Sequence, residues 1–252
     1  MYPPLVVERV TKRFGKVVAV NDVSISLEPG ASLGLVGPNG SGKTTLIKCC
    51  VGIYKPEAGR ILLAGRDLTD GDVEGKRHIA FAPELPDVVD GFTAWDHFTF
   101  LARMLEWKNG WRGEAARLLD AFDMADSRDK LAGGFSKGEK QKVMLSMAFL
   151  RRPAVLFLDE PLIGLDPKAA LALKGEVRSL LAAGGCAVIC SHVLSLVEEL
   201  CGGLAVMSRG RVVVHGSAAG LRVAARSQEG TPLEEAFTKV TEAGHGTEAD
   251  IE

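Results

Sequence analysis

Two short stretches carry residues whose types and spacing could handle a phosphate ester. The first is Gly37-Pro38-Asn39-Gly40-Ser41-Gly42-Lys43-Thr44, which fits the pattern G-x-x-x-x-G-K-[ST]. Glycines let the backbone curl so that successive N–H groups point inward. The positive end of a following helix adds to them, and together they make a cradle for phosphates. Lys43 would reach the terminal phosphates and Thr44 would hold Mg²⁺. The alternative, an ordinary glycine-rich turn, does not account for the eight-residue spacing together with a strand before it and a helix after it. The second stretch is Val155-Leu156-Phe157-Leu158-Asp159-Glu160, an apolar run ending in two carboxylates. Asp159 would bind Mg²⁺ directly or through water, and Glu160 is placed to take a proton from the water attacking a terminal phosphate. A positioned base contributes ~10²–10⁴-fold in rate, which is roughly 3–5 kcal/mol of barrier. Alone, the pair could be a solvated strand end; beside a phosphate loop it reads as the other half of a site.

Between these stretches lies Phe135-Ser136-Lys137-Gly138-Glu139, just upstream of a helix and about fifteen residues before the strand at Ala154. It resembles the signature motif, LSGGQ in its commonest form, that separates ATP-binding cassette (ABC) ATPases from other phosphate-loop NTPases. Further positions match: Phe14 stands where the family has the aromatic that stacks on adenine, and Glu84 where it usually has Gln. Leu165-Asp166 lies in the loop after the catalytic Glu, and His192 follows the next strand as Ser191-His192. A histidine after a strand is, by itself, more often structural. The resemblance covers about residues 4 to 240. It implies an α/β fold, a P-loop NTPase core with a mainly parallel sheet, an N-terminal antiparallel β subdomain and an inserted α-helical lobe. It implies ATP and Mg²⁺ as cofactors and hydrolysis by Lys43, Glu160 and His192. Nucleotide contacts would come from Phe14, Gly37, Pro38, Asn39, Gly40, Ser41, Gly42, Lys43, Thr44, Thr45, Glu84, Ser136, Lys137, Gly138, Glu139 and Asp166. Metal contacts would come from Thr44, Glu84 and Asp159.

In the family two cassettes pair head to tail, each ATP lying between the phosphate loop of one and the signature of the other. The resemblance therefore implies a second ABC subunit as partner, identical or related, with Ser136 and Gly138 closing on the partner's γ-phosphate and Asp166 reporting across the interface. It also implies a membrane-spanning permease subunit, and so a cytoplasmic protein held peripherally on the inner face of the cell membrane. Lys137 replaces the usual Gly and Glu139 the usual Gln, a variant similar to a subgroup of cassettes serving exporter-type permeases. A soluble ABC ATPase, for example of the iron-sulfur assembly type, is the alternative. A third reading, a nucleotide-gated binding module that does not hydrolyse, is opposed by the intact Lys43, Asp159, Glu160 and His192. The apolar positions Phe92, Trp95, Phe98, Phe100, Met104 and Trp107 are either core of the helical lobe or a groove for the permease; part of 85–100 is expected to couple to it.

The elements that must position these residues are legible in the hydrophobic pattern. The first thirty residues alternate apolar and polar types and break at Gly15 and Pro29-Gly30, which predicts short antiparallel strands. Ala31 to Val36 predicts a buried strand. Ile47, Cys50, Val51 and Tyr54 recur at helical spacing after the glycine turn, with Pro56 and Gly59 closing that helix. Strands follow at Arg60 to Ala64 and His78 to Ala82, then helices over Thr93 to Trp107 and Glu114 to Phe122. Thr93 with Asp96 resembles a helix-start cap, although Glu or Gln is usual at the later position. Ala154 to Leu158 and Ala187 to Cys190 suit central parallel strands covered on both faces. Leu204 to Met207 and Val212 to Val214 predict a closing hairpin. Residues 1–240 are expected to form one domain, with 1–85 and 152–220 as nucleotide-binding core and 86–151 as helical lobe. Residues 221–252 would hold one short amphipathic helix beyond Thr231 (Leu233, Ala236, Phe237, Val240) and a disordered last ten.

The bulk numbers bound the reading. A chain of 252 residues, 46% apolar, can bury a core for one large α/β domain or two lobes. A net charge of −2 gives no basic footprint, so no nucleic acid partner is expected. No run of about 18 apolar residues is present, and the opening MYPPLVVERV lacks the features of a secretory signal. The phosphate-loop pattern occurs once, so a unit needing two must dimerise. Cys49, Cys50, Cys186, Cys190 and Cys201 make an odd count without paired spacing and are read as apolar fillers.

Overall fold

A computed structural model describes residues 4–69, 71–228 and 231–246. The chain begins with a hairpin, β1 (Leu5–Phe14) and β2 (Val17–Leu27), turned at Gly15-Lys16 with Gly15 at φ 58°. These strands are not short, as expected, but 10 and 11 residues long. A two-residue turn lets the ladder run from Phe14↔Val17 to Leu5↔Leu27, and bulges near Arg9 and Asp22 absorb the twist instead of ending the strands. Next come β3 (Ser32–Val36), α1 (Lys43–Cys50), β4 (Ala58–Leu63), β5 (Arg66–Asp67), α2 (Val73–Lys76) and β6 (Ile79–Ala82). Helical spacing suggested that α1 reaches Tyr54, yet it stops at Cys50. Gly52 at φ 72° ends it, and the Ile53 and Tyr54 amides turn back to the Lys48 carbonyl at 2.9 and 3.0 Å.

The lobe contains α3 (Ala94–Met104), α4 (Trp111–Ala121) and α5 (Lys137–Leu150). The core resumes with β7 (Val155–Asp159), α6 (Pro167–Ala182), β8 (Cys186–Cys190), α7 (Leu194–Leu200), β9 (Gly203–Ser208) and β10 (Arg211–Gly216). Two helices follow, α8 (Ala218–Ala224) and α9 (Leu233–Gly246). One sheet is antiparallel in the order β2-β1-β4-β5; the other runs β10-β9-β3-β8-β7-β6, parallel throughout except for the β9–β10 hairpin.

Alternation along the parallel strands divides the core. Leu156, Leu158, Ala187 and Ile189 face a core shared with α6, α7 and the helical lobe. Val155, Phe157, Cys186, Val188 and Cys190 face the opposite way, where α1 is packed against β1 and β2. The parallel sheet is thus covered on both faces, and the carboxyl ends of β3, β7 and β8 share one edge, where open α/β sheets place their ligands.

Of the aromatic positions weighed for a groove, Phe98 is fully buried, and Trp95 and Trp107 pack partly against the core; Phe100 and Met104 are exposed. The C-terminal expectation needs correction. The helix α8 was not foreseen, because its seven residues bury only Leu221 and show no apolar stripe; Ser217 caps it through the Gly220 amide at 3.1 Å. The helix α9 takes in residues 243–246, which the polar composition places in a disordered tail, and 247–252 lie outside the described residues. Among the described residues no helix is long and apolar enough to cross a membrane.

Candidate active site

The phosphate loop is set by β3, whose five residues are all buried and whose last, Val36, hands the chain to Gly37. Gly40 and Gly42 have φ of 78° and 104°, conformations that disfavour a side chain, and a Cβ on Gly42 would run into the Ala19 carbonyl. The helix α1 starts at Lys43 without a side-chain cap, so its first-turn amides are offered to a ligand rather than to the chain. Ser41 is 2% exposed and its Oγ has no hydrogen-bond partner, an orphaned polar atom within the loop that fits a polar guest. Lys43 folds over the loop, its Nζ donating to the carbonyls of Gly37 (2.7 Å) and Pro38 (3.0 Å). Thr45 follows on the same first turn.

Thr44 Oγ1 donates to Asp159 Oδ2 at 2.9 Å, joining the start of α1 to the end of β7 across 115 residues of sequence. Asp159 is buried. Among the described residues no group of three or more His, Cys, Asp or Glu side chains could hold a metal by itself. A hydroxyl beside one carboxylate is a donor set that suits Mg²⁺, which keeps waters and substrate phosphates as its other ligands.

Glu160 leaves the strand with φ of 50°, a left-handed conformation costing on the order of 1–3 kcal/mol. Its N–H donates to the Cys190 carbonyl at 2.8 Å, which ties it to the end of β8. Both oxygens of its carboxylate have partners there. Oε1 accepts from the His192 main-chain N–H at 2.9 Å; Oε2 accepts from Ser191 Oγ at 3.2 Å and meets His192 Nδ1 at 2.8 Å. The buried Ser191 in turn accepts from the Val193 N–H at 3.1 Å. The His192 side chain is 68% exposed and that of Glu160 is 14% exposed, so the pair opens to solvent on the imidazole side.

The signature residues lie on the helical lobe. Ser136 caps α5: its hydroxyl accepts from the Glu139 N–H at 3.2 Å, while Glu139 Oε2 accepts from the Ser136 N–H at 2.8 Å. That N–H holds the Glu139 carboxyl below its usual range. Lys137 is exposed at the first helical position. Gly138 abuts the loop after Glu160, where a Cβ would collide with the Gly164 carbonyl. Asp166 caps α6 through the Ala169 N–H at 2.9 Å and meets Lys142 Nζ at 2.5 Å. The Lys142 ammonium, and secondarily the Ala169 amide, hold the Asp166 carboxyl below its ordinary value.

Lys43, Thr44, Asp159, Glu160 and His192 thus share one sheet edge. Glu84 is exposed two residues past β6, and Phe14, 46% exposed at the end of β1, meets Tyr54 edge-on at 5.2 Å. Two partners escaped the sequence reading. Ser191 was seen only as the neighbour of His192, and Lys142, a buried cation in a row of core positions of α5, gave no sign of its pairing with Asp166.

The family model described as ABC transporter matches residues 20–163. An uncharacterized ABC transporter ATP-binding protein of Nostoc sp. is 37% identical over 205 residues, 80% of this chain and 61% of the relative. The chain therefore matches under two thirds of that relative's length. The Nod factor export ATP-binding protein I of Burkholderia orbicola is 33% identical over 85% of this chain and 71% of its own. A solved structure of the ATP-binding subunit of an ABC transporter superimposes with a TM-score of 0.89 at 30% identity, covering 94% of this chain and 99% of that one. With the family model matching more than half of its length and the Burkholderia relative covered over two thirds, this chain belongs to the ATP-binding cassettes of ABC transporters.

Proposed function

We propose that this chain hydrolyses ATP as the motor of an ABC exporter, working as a head-to-tail pair of cassettes on a separate membrane-spanning permease. The observation that carries the reading is the Glu160–His192 pair beside Thr44 and Asp159 on one sheet edge. Held by the His192 N–H and Ser191, the Glu160 carboxylate has a fixed direction and can accept the proton of an attacking water. His192 orients Glu160 from the solvent side. Lys43, once drawn from the Gly37 and Pro38 carbonyls, gives its ammonium to the terminal phosphates. Thr44 and Asp159, with Glu84 as a further contact, would hold Mg²⁺, which supplies positive charge for the phosphates when bound. Ser136, Lys137 and Gly138 stand at the amino end of α5, whose dipole favours an anion presented by a partner cassette. Phe14 would stack on the adenine ring, and Asp166, near the same face, would report on the partner.

The export direction draws support from the relative named for Nod factor export and from the Ser136-Lys137-Gly138 variant. Leu85, Val89 and Phe100, within residues 85–100, and Met104 just beyond are exposed apolar side chains that could meet a permease. Tagged chain carrying Glu160→Gln, incubated with ATP and Mg²⁺ and pulled from detergent-solubilised host membranes, should bring down a stoichiometric multi-span partner. Recovery of soluble proteins alone, with ATP-dependent dimers intact, would contradict the permease and leave a soluble ABC ATPase.

A further inference from the structure

The buried amide of Gln141 has no role in the chemistry described above. It is 1% exposed, and neither Nε2 nor Oε1 has a hydrogen-bond partner. Buried side-chain amides are nearly always bonded, because a desolvated and unpaired amide is costly. An apolar residue would fill this interior position of α5 without that cost.

Its neighbours on α5 show where it sits. Lys140 donates to Asp90 at 2.9 Å, in the loop that follows Glu84, and Lys142 meets Asp166 at 2.5 Å, in the loop that follows Glu160. Successive helical residues are about 100° apart, so Gln141 points between these two tethers. It is also one turn beyond Gly138, on the face that abuts Gly164. The amide therefore lies where the signature helix, the loop after Glu84 and the loop after the catalytic Glu converge. The lobe shares an apolar core with Ala169, Leu173 and Val177 of α6, and its polar ties to that helix include the surface ion pairs Arg117–Glu176 at 2.7 Å and Lys168–Asp123 at 2.5 Å, a kind of contact that yields readily.

We propose that Gln141 is a positioning residue whose amide, unpaired in this conformation, bonds to the Glu160–Gly164 backbone only when the helical lobe turns to close on ATP. The orphaned amide raises the energy of the open arrangement, and its new bonds stabilise the closed one, so closure and the setting of Glu160 become one event. This rests on the hydrolysing-motor reading above, but its test does not need turnover.

Gln141→Met keeps length and helix propensity and removes both polar atoms. In the Glu160→Gln chain, the added Gln141→Met should abolish the ATP-dependent dimer seen by size exclusion. Binding of a fluorescent ADP analogue should be unchanged, and Tm unchanged or raised by about 2–4 °C. In the otherwise natural chain, kcat should fall by on the order of tenfold or more at an unchanged KM. Dimers of normal strength with normal kcat would overturn the proposal, and so would a marked fall in Tm, which would show the amide already bonded in the resting fold. A natural chain that binds ATP without turning it over would sink the hydrolysing reading, while the dimer measurement would still decide the role of Gln141.

Discussion

At the scale of single residues, the site is a set of charges held in place by neighbours of modest chemistry. Glu160 sits in a left-handed backbone conformation and spends its carboxylate on a main-chain N–H, a serine hydroxyl and an imidazole. Preorganisation of this kind makes a base effective, because its direction does not have to be found during the reaction. Asp166 shows how such fixation responds to pH. Its folded pKa lies below the ordinary value because of Lys142, so it contributes stability that is fully present above about pH 4 and lost as pH falls through the lowered folded value. Asp166→Asn should therefore be less stable than the natural chain at neutral pH. The gap, read by denaturant unfolding, should close as the medium becomes more acid than the usual carboxylate range. An equal gap at neutral and strongly acid pH would show that Lys142 is not what stabilises the carboxylate. That Thr44 and Asp159 stand together was legible from the two motifs, since each motif prescribes a contact to one metal, although their direct bond was not. The hydroxyl of Ser191 and the ammonium of Lys142 were not, since their partners are defined only once loops distant in sequence are brought together.

At the scale of elements, α3, α5 and α6 begin at side-chain caps, whereas α1 leaves its first amides open beside the phosphate loop. Thr93 and Asp96 complete a reciprocal box on α3, with Asp serving where Glu is usual, and Ser136 and Glu139 do the same on α5. The residue that departs from the family's Gln thus has a structural task of its own. Glu139→Ala should cost about 0.3–1.5 kcal/mol, a fall in Tm of roughly 2–4 °C per kcal/mol for a chain of this size. Glu139→Gln, which can close the same box, should lose far less. Equal losses for the two would show that the box is not what holds the amino end of α5. The strands were legible because Val, Ile, Leu and Cys runs of buried positions have no other reading next to glycine turns. Helix ends were less so: α1 stops at a left-handed glycine that the apolar spacing overran, and α8 buries too little to announce itself.

At the scale of the whole molecule, one parallel sheet is covered on one side by α1 and the antiparallel sheet, and on the other by α6, α7 and the helical lobe, and the reacting groups emerge at its carboxyl edge. The cysteines belong to that packing. Burial pushes Cys49 up to about 11 and Cys201 up to about 12, and raises Cys50, Cys186 and Cys190 as well. The folded chain should accordingly resist iodoacetamide at mildly alkaline pH, whereas all five thiols should label after unfolding, as counted by intact mass. Rapid labelling of Cys49 or Cys190 in the folded chain would contradict the packing of α1 against the sheet. Overall architecture was readable because the motifs and the apolar runs agree on one order of strands and helices. What the order alone does not contain is the registration of the lobe against α6, which depends on single pairs such as Arg117–Glu176. The claim that joins all three scales is that this edge hydrolyses ATP through Glu160. Its most direct test is steady-state phosphate release by the purified chain and by Glu160→Gln, with ATP binding measured on both. A fall of ~10²–10⁴-fold with binding retained is the predicted result; equal rates in the two proteins would contradict the account.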